Sequence, residues 1–183
     1  VLDPLHAALV GHGLAVTAQT RQHALLFDTG PAFGPAADSG NRIIVPFLRA
    51  SGIRRLDTLI VSHDEADHSG GAMSVLQAVP VAVVLSSLPD FDPLVLLSTS
   101  EQRCAAGQAW TWDAVDFEIL HPEPDSHGDR GVKDNDRSCV LKITTAGGSV
   151  LIPADIERRS ERVLLATVPE KLRADVLIAP HQG

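Results

Sequence analysis

Residues 62–71 read SHDEADHSGG, so that His63, Glu65, Asp67 and His68 fall within six positions directly after the strand-like run DTLIV. Imidazole and carboxylate are the usual ligands of borderline and hard divalent cations. In a tight loop, alternate positions 63, 65 and 67 can point one way, while the neighbours Asp67 and His68 divide between two directions. One cation could therefore take His63 and Glu65, and a second Asp67 and His68. Neither pair fills a coordination sphere, so distant residues must contribute. Asp155 in LIPAD and His181 in IAPHQG each follow an apolar run and are the obvious donors. A single His beside a carboxylate is ordinarily a surface ion pair, but four such groups in six residues is a rarer pattern. Asp155 also has a structural reading, as the N-cap of a helix over 156–168, and His181 taken alone reads as a surface residue.

The elements that must position these groups follow from periodicity. GLAVTAQ (13–19) and HALLFD (23–28) read as strands, followed by a Gly/Pro-rich loop over 29–40. NRIIVPFLRASG (41–52) reads as a helix with Asn41 as cap, Pro46 in its first turn and Gly52 as its stop. LDTLIVS (56–62) has the length of a buried strand, and GGAMSVLQAV (70–79) the spacing of a helix packed beneath the loop. VAVVLSS (81–87) is a strand, 88–108 is irregular, and AWTWD with VDFEIL forms a hairpin. Residues 121–137 form a long polar loop of the kind that is usually functional or mobile. SCVLKITT and GSVLIPA are joined through AGG as a second hairpin. An amphipathic helix over 156–168 and a last buried strand over 174–180 complete the chain. This order suggests two sheets face to face with helices outside, an α/β fold of four αββα layers. The polar clusters at 63–68, 155 and 181 then converge on one edge if their strands lie side by side.

Bulk properties narrow the function classes. At 183 residues, with 44% hydrophobic and 21% charged content, one globular domain is expected, and no domain boundary is visible. No apolar run approaches the roughly 20 residues that cross a bilayer, so this stretch is not expected to insert into a membrane. The opening VLDPLHAALV lacks an initiator Met and a signal-peptide pattern, and reads as a boundary within a longer polypeptide. A formal charge of −8 argues against a surface that wraps nucleic acid through Lys and Arg, and leaves open a metal site that handles phosphates locally. Trp110 and Trp112 alternate on one strand, which favours core packing or an interface over base stacking. Cys104 and Cys139 are too few for a disulfide framework; two buried thiols are favoured over one disulfide.

At these residues the chain resembles the metallo-β-lactamase fold family, whose motif is His-x-His-x-Asp-His at a strand end. Within it the resemblance is closer to the β-lactamase-like domain of ComEC-type DNA-uptake (competence) proteins. It is carried by VGHGLAV, ALLFDTGP, LDTLIVSHDEADHSGG, FEILHP, DNDRSCVLKI, SVLIPADIE and ADVLIAPHQG, which are collinear over nearly the whole chain. The resemblance implies a binuclear-metal hydrolase with two divalent ions, Mn or Zn with Mg as a further option. His63, Asp67 and His68 match the motif, and Glu65 stands where the superfamily has His. Asp155 matches the metal-bridging Asp, His181 the C-terminal His, and Asp28 an acid that supports the site from behind. Asp67 and His181 are the implied catalytic residues. The third-strand His has no counterpart; Asp134, Asn135 and Asp136 all lie near its position.

The chain departs from the family where Ala154 replaces the Gly before the bridging Asp, where Gln182 replaces a second C-terminal His, and where His12 replaces a Gln. The resemblance further implies cleavage of single-stranded DNA during uptake. It implies attachment to a transmembrane channel portion of the same polypeptide in the bacterial inner membrane, on the periplasmic or extracellular side. Two other functions remain open at this point. One is a metal-dependent ester, thioester or lactam hydrolase on the same site; the other is a degenerate domain that serves in transporter assembly.

Overall fold

The computed structural model describes residues 5–10, 13–128 and 131–180, with residues 5–10 and 127–128 described by backbone alone. The first half of the chain forms β1 (Leu5–Val10), β2 (Gly13–Gln19), β3 (Ala24–Phe27), a small ladder of β4 (Ala32–Gly34) with β5 (Ala37–Asp38), α1 (Val45–Ala50), β6 (Leu56–Val61), α2 (Ala66–Ser69), α3 (Ala72–Ala78), β7 (Val81–Ser86), α4 (Pro93–Leu97) and β8 (Glu101–Arg103). The second half forms β9 (Ala109–Trp112), β10 (Val115–His121), β11 (Val140–Thr145), β12 (Gly148–Ile152), α5 (Arg158–Thr167) and β13 (Val176–Leu177). One sheet has the order β1-β2-β3-β6-β7-β8 and the other β13-β12-β11-β10-β9. In the first, β3, β6, β7 and β8 are parallel; in the second, only β12 and β13 are.

Strand parity sorts the core into layers, because successive side chains leave opposite faces of a sheet. Leu25, Phe27 and Ile60 of the first sheet bury together with Phe117, Ile119, Leu141, Ile143, Val150 and Ile152 of the second. The alternate residues Leu26, Leu59 and Val61 face outward onto Val45 and Leu48 of α1 and Ala72 and Val75 of α3. On the far side, Val140 and Leu151 meet Ile156 and Leu164, the latter on α5. The result is a four-layer αββα sandwich, as expected. Trp110 and Trp112 pack on the central core, Trp110 stacked on Phe117 at 5.4 Å and Trp112 on His23 at 4.9 Å.

Topology brings the polar loops together. Parallel pairing of β3 with β6 places Asp28 beside Ser62, with the Asp28 N–H donating to the Ile60 carbonyl at 2.8 Å. β11 begins where β12 ends, and the Cys139 N–H donates to the Ser62 carbonyl at 3.0 Å, which stitches the two sheets at that edge.

Several local expectations are corrected. Cys104 and Cys139 are joined by a disulfide, not two thiols. They are 35 residues apart, and only the stacking of the sheets brings their Cα atoms to 5.8 Å. Asn41 is not a cap: its N–H donates to Asp38 Oδ1 at 2.8 Å, inside a π-helical turn over Gly40–Ile44 that leads into α1. The stretch 88–108 is not irregular throughout, since it contains α4 and β8. The segment 174–180 is not a buried strand: only Val176–Leu177 pair, on the edge of the sheet, and their side chains are half or more exposed. The polar loop 121–137 contains two 3-10 turns, Pro124–Gly128 and Asn135–Arg137.

Reduction of the disulfide, or Cys104→Ser with Cys139→Ser, is expected to lower stability by about 4 kcal/mol, from the entropy of the loop it closes. Urea denaturation with and without a reductant reads this; coincident midpoints would contradict it.

Candidate metal centre

β6 delivers Val61 into the core and leaves Ser62 and His63 at its tip, both fully buried. The chain then makes the single turn of α2, which carries Asp67 and His68. The backbone of this turn is tied to the loop after β3: the Thr29 N–H and hydroxyl donate to the His68 carbonyl at 2.8 and 2.9 Å. Gly70 and Gly71 permit this approach, since a Cβ at either would overlap backbone of residues 29–32 or 40.

The two imidazoles are oriented by one carboxylate. Asp28 is fully buried, and its Oδ2 accepts from His68 Nδ1 at 2.7 Å and from the Ser62 hydroxyl at 2.7 Å, while Oδ1 accepts from the Ser62 N–H at 2.7 Å. Because the Ser62 hydroxyl gives its proton to Asp28, its oxygen accepts from His63 Nδ1 at 2.9 Å. Both rings are thereby fixed with Nδ1 as the donor and Nε2 turned the other way. Neither Nε2 has a hydrogen-bond partner, although both atoms are buried. His68 Nε2 lies 3.3 Å from Asp155 Oδ1, and the ligand atoms of His63, His68 and Asp155 all fall within 4.8 Å of one another. Glu65 Oε2 stands 3.8 Å from His63 Nε2 and Asp67 Oδ2 3.7 Å from His68 Nε2, both on half-buried side chains. Two orphaned imidazole nitrogens ringed by three carboxylates fit a divalent cation.

Burial works to lower the pKa of His68, but the Asp155 carboxylate 3.3 Å from Nε2, the hydrogen bond to Asp28 and the charges of both outweigh it, raising it to about 10. His63 moves the other way, lowered by burial and by the charge on His68. Without a cation, the one positive charge of the pair therefore sits on His68.

The sequence profile described as Metallo-beta-lactamase superfamily matches residues 9–181. The chain belongs to this superfamily. It is 36% identical over 173 residues to "Competence protein ComA" of Neisseria gonorrhoeae, covering 94% of this chain and 23% of that protein. It is 33% identical over 175 residues to "Recombination protein 2" of Haemophilus influenzae, covering 95% of this chain and 20% of that protein. The chain thus spans about a fifth to a quarter of the length of these curated relatives. Among solved structures, the subclass B3 metallo-β-lactamase MEM-A1 from a soil metagenome library aligns with a TM-score of 0.67 at 16% identity, over 100% of this chain and 78% of that one. At that identity the likeness shows the fold.

Against the metallo-β-lactamase pattern, the structure brings together His63, Glu65, Asp67, His68 and Asp155, with Asp28 behind them. His181 lies outside the described residues, as do His12 and Gln182. Asp155 is not the helix cap. That position is held by Glu157, which makes no side-chain cap bond. Asp136 from the opposite loop caps α5 instead, accepting from the Ser160 hydroxyl at 2.7 Å and from the Glu157 and Ser160 N–H groups at 3.3 Å. Asp134 is exposed and paired with Arg137 at 3.0 Å. Ala154, in the place of the family's Gly, takes φ 51 and still delivers Asp155 to the centre. Sequence reasoning missed Ser62, whose link to Asp28 spans 34 residues and leaves no spacing signal, and missed Asp136 as a cap.

Two outcomes follow from this geometry. Ala154→Gly relieves a left-handed backbone that costs a non-glycine residue about 1–2 kcal/mol, against roughly 0.5–1 kcal/mol of added unfolded-state entropy. Stability in chelator is expected to rise by up to about 1 kcal/mol, with metal stoichiometry unchanged. Because His68 is protonated below about 10 when no cation is bound, metal uptake at neutral pH must release that proton, and affinity must rise with pH up to that value. Calorimetry in buffers of different ionisation enthalpy measures the release; heats that do not depend on buffer would refute it.

Proposed function

We propose that this is a metal-dependent phosphodiesterase that cuts single-stranded DNA during DNA uptake. The observation that carries the reading is the meeting of two buried, unpartnered imidazole nitrogens with the Asp155 carboxylate. Similarity to proteins named for competence and recombination supports the choice of substrate. The donor set is two imidazoles with three carboxylates, an oxygen-rich mixture that suits Mn²⁺ or Zn²⁺, with Mg²⁺ as a third option and two ions as the expected complement. Divalent ions held there supply charge neutralisation for a phosphodiester and lower the pKa of a water.

The chain's own residues do the remaining work. Asp28 and Ser62 hold the imidazoles in the tautomer that leaves Nε2 free to bind. Asp67, half-buried beside His68, orients the nucleophile, and His181 is its proposed partner. The formal charge of −8 makes local neutralisation necessary if a polyanion is to bind.

In this reading the domain is attached to a transmembrane portion of the same polypeptide in the bacterial inner membrane. Among the described residues, no helix is long and apolar enough to cross a membrane. The Cys104–Cys139 disulfide supports a periplasmic or extracellular position, since disulfides persist in oxidising compartments. The non-catalytic alternative draws on the Pro-Ala-Asp and His-Gln-Gly departures; the backbone adopted by Ala154 answers the first, and the second lies outside the described residues.

Mn²⁺-dependent digestion of single-stranded DNA is expected from the wild type and at least 100-fold less from Asp67→Ala. His68→Ala should bind fewer metal equivalents by elemental analysis. Equal digestion by Asp67→Ala would point to a contaminating nuclease. Metal-loaded protein that is inert to DNA but opens a lactam or thioester would overturn the proposed substrate.

A further inference from the structure

The chain has five phenylalanines, two tryptophans and no tyrosine, and burial divides them into two groups. Phe27 and Phe117 are sealed between the sheets, Trp110 and Trp112 pack on that core, and Phe47 packs on the outer one. Phe33 and Phe91 stay in water, 49% and 80% exposed. Both stand on loops that leave the sheet edge carrying the candidate centre. Phe33 belongs to β4, in the loop after β3. Its neighbour Ala32 passes Gly70 so closely that a Cβ on Gly70 would overlap the Ala32 nitrogen, and the Gly71 N–H donates to the Gly30 carbonyl at 3.2 Å. The hairpin of Phe33 is thereby held against the turn that carries Asp67 and His68. Phe91 lies in the loop after β7, the parallel neighbour of β6. The Ser87 N–H donates to the Val61 carbonyl at 3.3 Å, and Leu88 is buried. The next turn, closed by the Asp92 N–H on the Pro89 carbonyl at 3.0 Å, therefore starts beside the loop that carries His63.

Because β6 lies between β3 and β7, the two loops leave the edge about 10 Å apart, two strand spacings, on opposite sides of the β6 tip. Each carries one ring. Phe33 has only small neighbours in Ala32, Gly34 and Pro35, so its exposure is not part of a broad apolar patch. The acids that flank Phe91 are engaged, Asp90 with Arg103 and Asp92 as the cap of α4. Single rings exposed beside a phosphodiester site suit unpaired nucleobases, since every base has a π face that an aromatic side chain can stack on. We propose that Phe33 and Phe91 are stacking platforms for the unpaired bases on either side of the phosphodiester held at the centre. The proposal rests on the reading of the centre as a hydrolase of single-stranded DNA, and it names what selects a single strand there: base faces, which a duplex keeps against one another. Stacking also recognises a strand without Lys or Arg, as a chain of formal charge −8 requires.

The test is cleavage by the Mn²⁺-loaded full chain of a single-stranded oligonucleotide and of an abasic strand of the same length. Phe33→Ala and Phe91→Ala should each raise KM for the base-bearing strand about 10-fold, with kcat little changed. The abasic strand, which has no face to stack, should be cut as by the wild type, and Phe33→Trp and Phe91→Trp should keep the low KM. If either Ala variant fails to fold, Phe33→Leu and Phe91→Leu, which keep the bulk without the ring, should give the same rise. Unchanged KM, or an equal rise for both strands, would overturn the stacking role and leave the hydrolase reading standing. Unchanged KM with altered self-association of Phe91→Ala in sedimentation would overturn it in favour of a protein contact shared with the exposed Leu96 and Leu97. A wild type that cuts neither strand would overturn the hydrolase reading and this proposal together.

Discussion

The Asp28 carboxylate is the interaction on which the centre depends. A charge with no exposure to water is costly unless its oxygens are satisfied, and here three donors satisfy them: the Ser62 N–H, the Ser62 hydroxyl and His68 Nδ1. The same bonds determine which nitrogen of each imidazole carries the proton. His68 is set directly and His63 through the Ser62 hydroxyl. One buried charge thus fixes two ring orientations, and it does so from a left-handed backbone, φ 57, that Asp tolerates better than most residues. Ala154 takes a similar conformation across the centre. Both departures from ordinary backbone lie directly beside groups of the site, where rigid surroundings can hold such conformations.

The sandwich makes this convergence possible. Parallel β3 and β6 end side by side, so Asp28 and Ser62 become neighbours across 34 residues of sequence. The second sheet ends β12 at the same edge and presents Asp155 to His68. The central core between the sheets, built largely from alternate residues of β2, β3, β10, β11 and β12, fixes the distance between these edges. The hydrogen bond from Cys139 to Ser62 and the Cys104–Cys139 disulfide secure the two sheets where the centre lies.

The cluster carries more negative charge than its two imidazoles answer. Five carboxylates, from Asp28, Glu65, Asp67, Asp155 and the nearby Asp64, surround two imidazoles that carry one positive charge, on His68. Most of the chain's basic side chains in this region are engaged elsewhere: Lys133 with Glu157, Arg137 with Asp134 and Arg103 with Asp90. The negative field is therefore left for a cation to answer.

The ten residues 62–71 announced the chemistry by themselves, because imidazoles and carboxylates at that density are legible without coordinates. The strands were equally legible where alternation was strong, as in β6, β7 and the two hairpins. Legibility failed wherever a residue's role depends on a partner far along the chain. Asp155 reads locally as a helix cap, and only the loop that brings Asp136 over α5 releases it. Cys104 and Cys139 read as two thiols until the sheets stack. Val176 and Leu177 read as buried because their composition is apolar, yet an edge strand is covered on one side only. Among Asp134, Asn135 and Asp136 the sequence offers three equivalent oxygens, and the fold commits two of them to other partners. Residue type and short spacing determined which chemistry was available. Pairing across the sheets decided which groups take part, since hydrogen bonds and burial depend on distances that sequence separation does not encode.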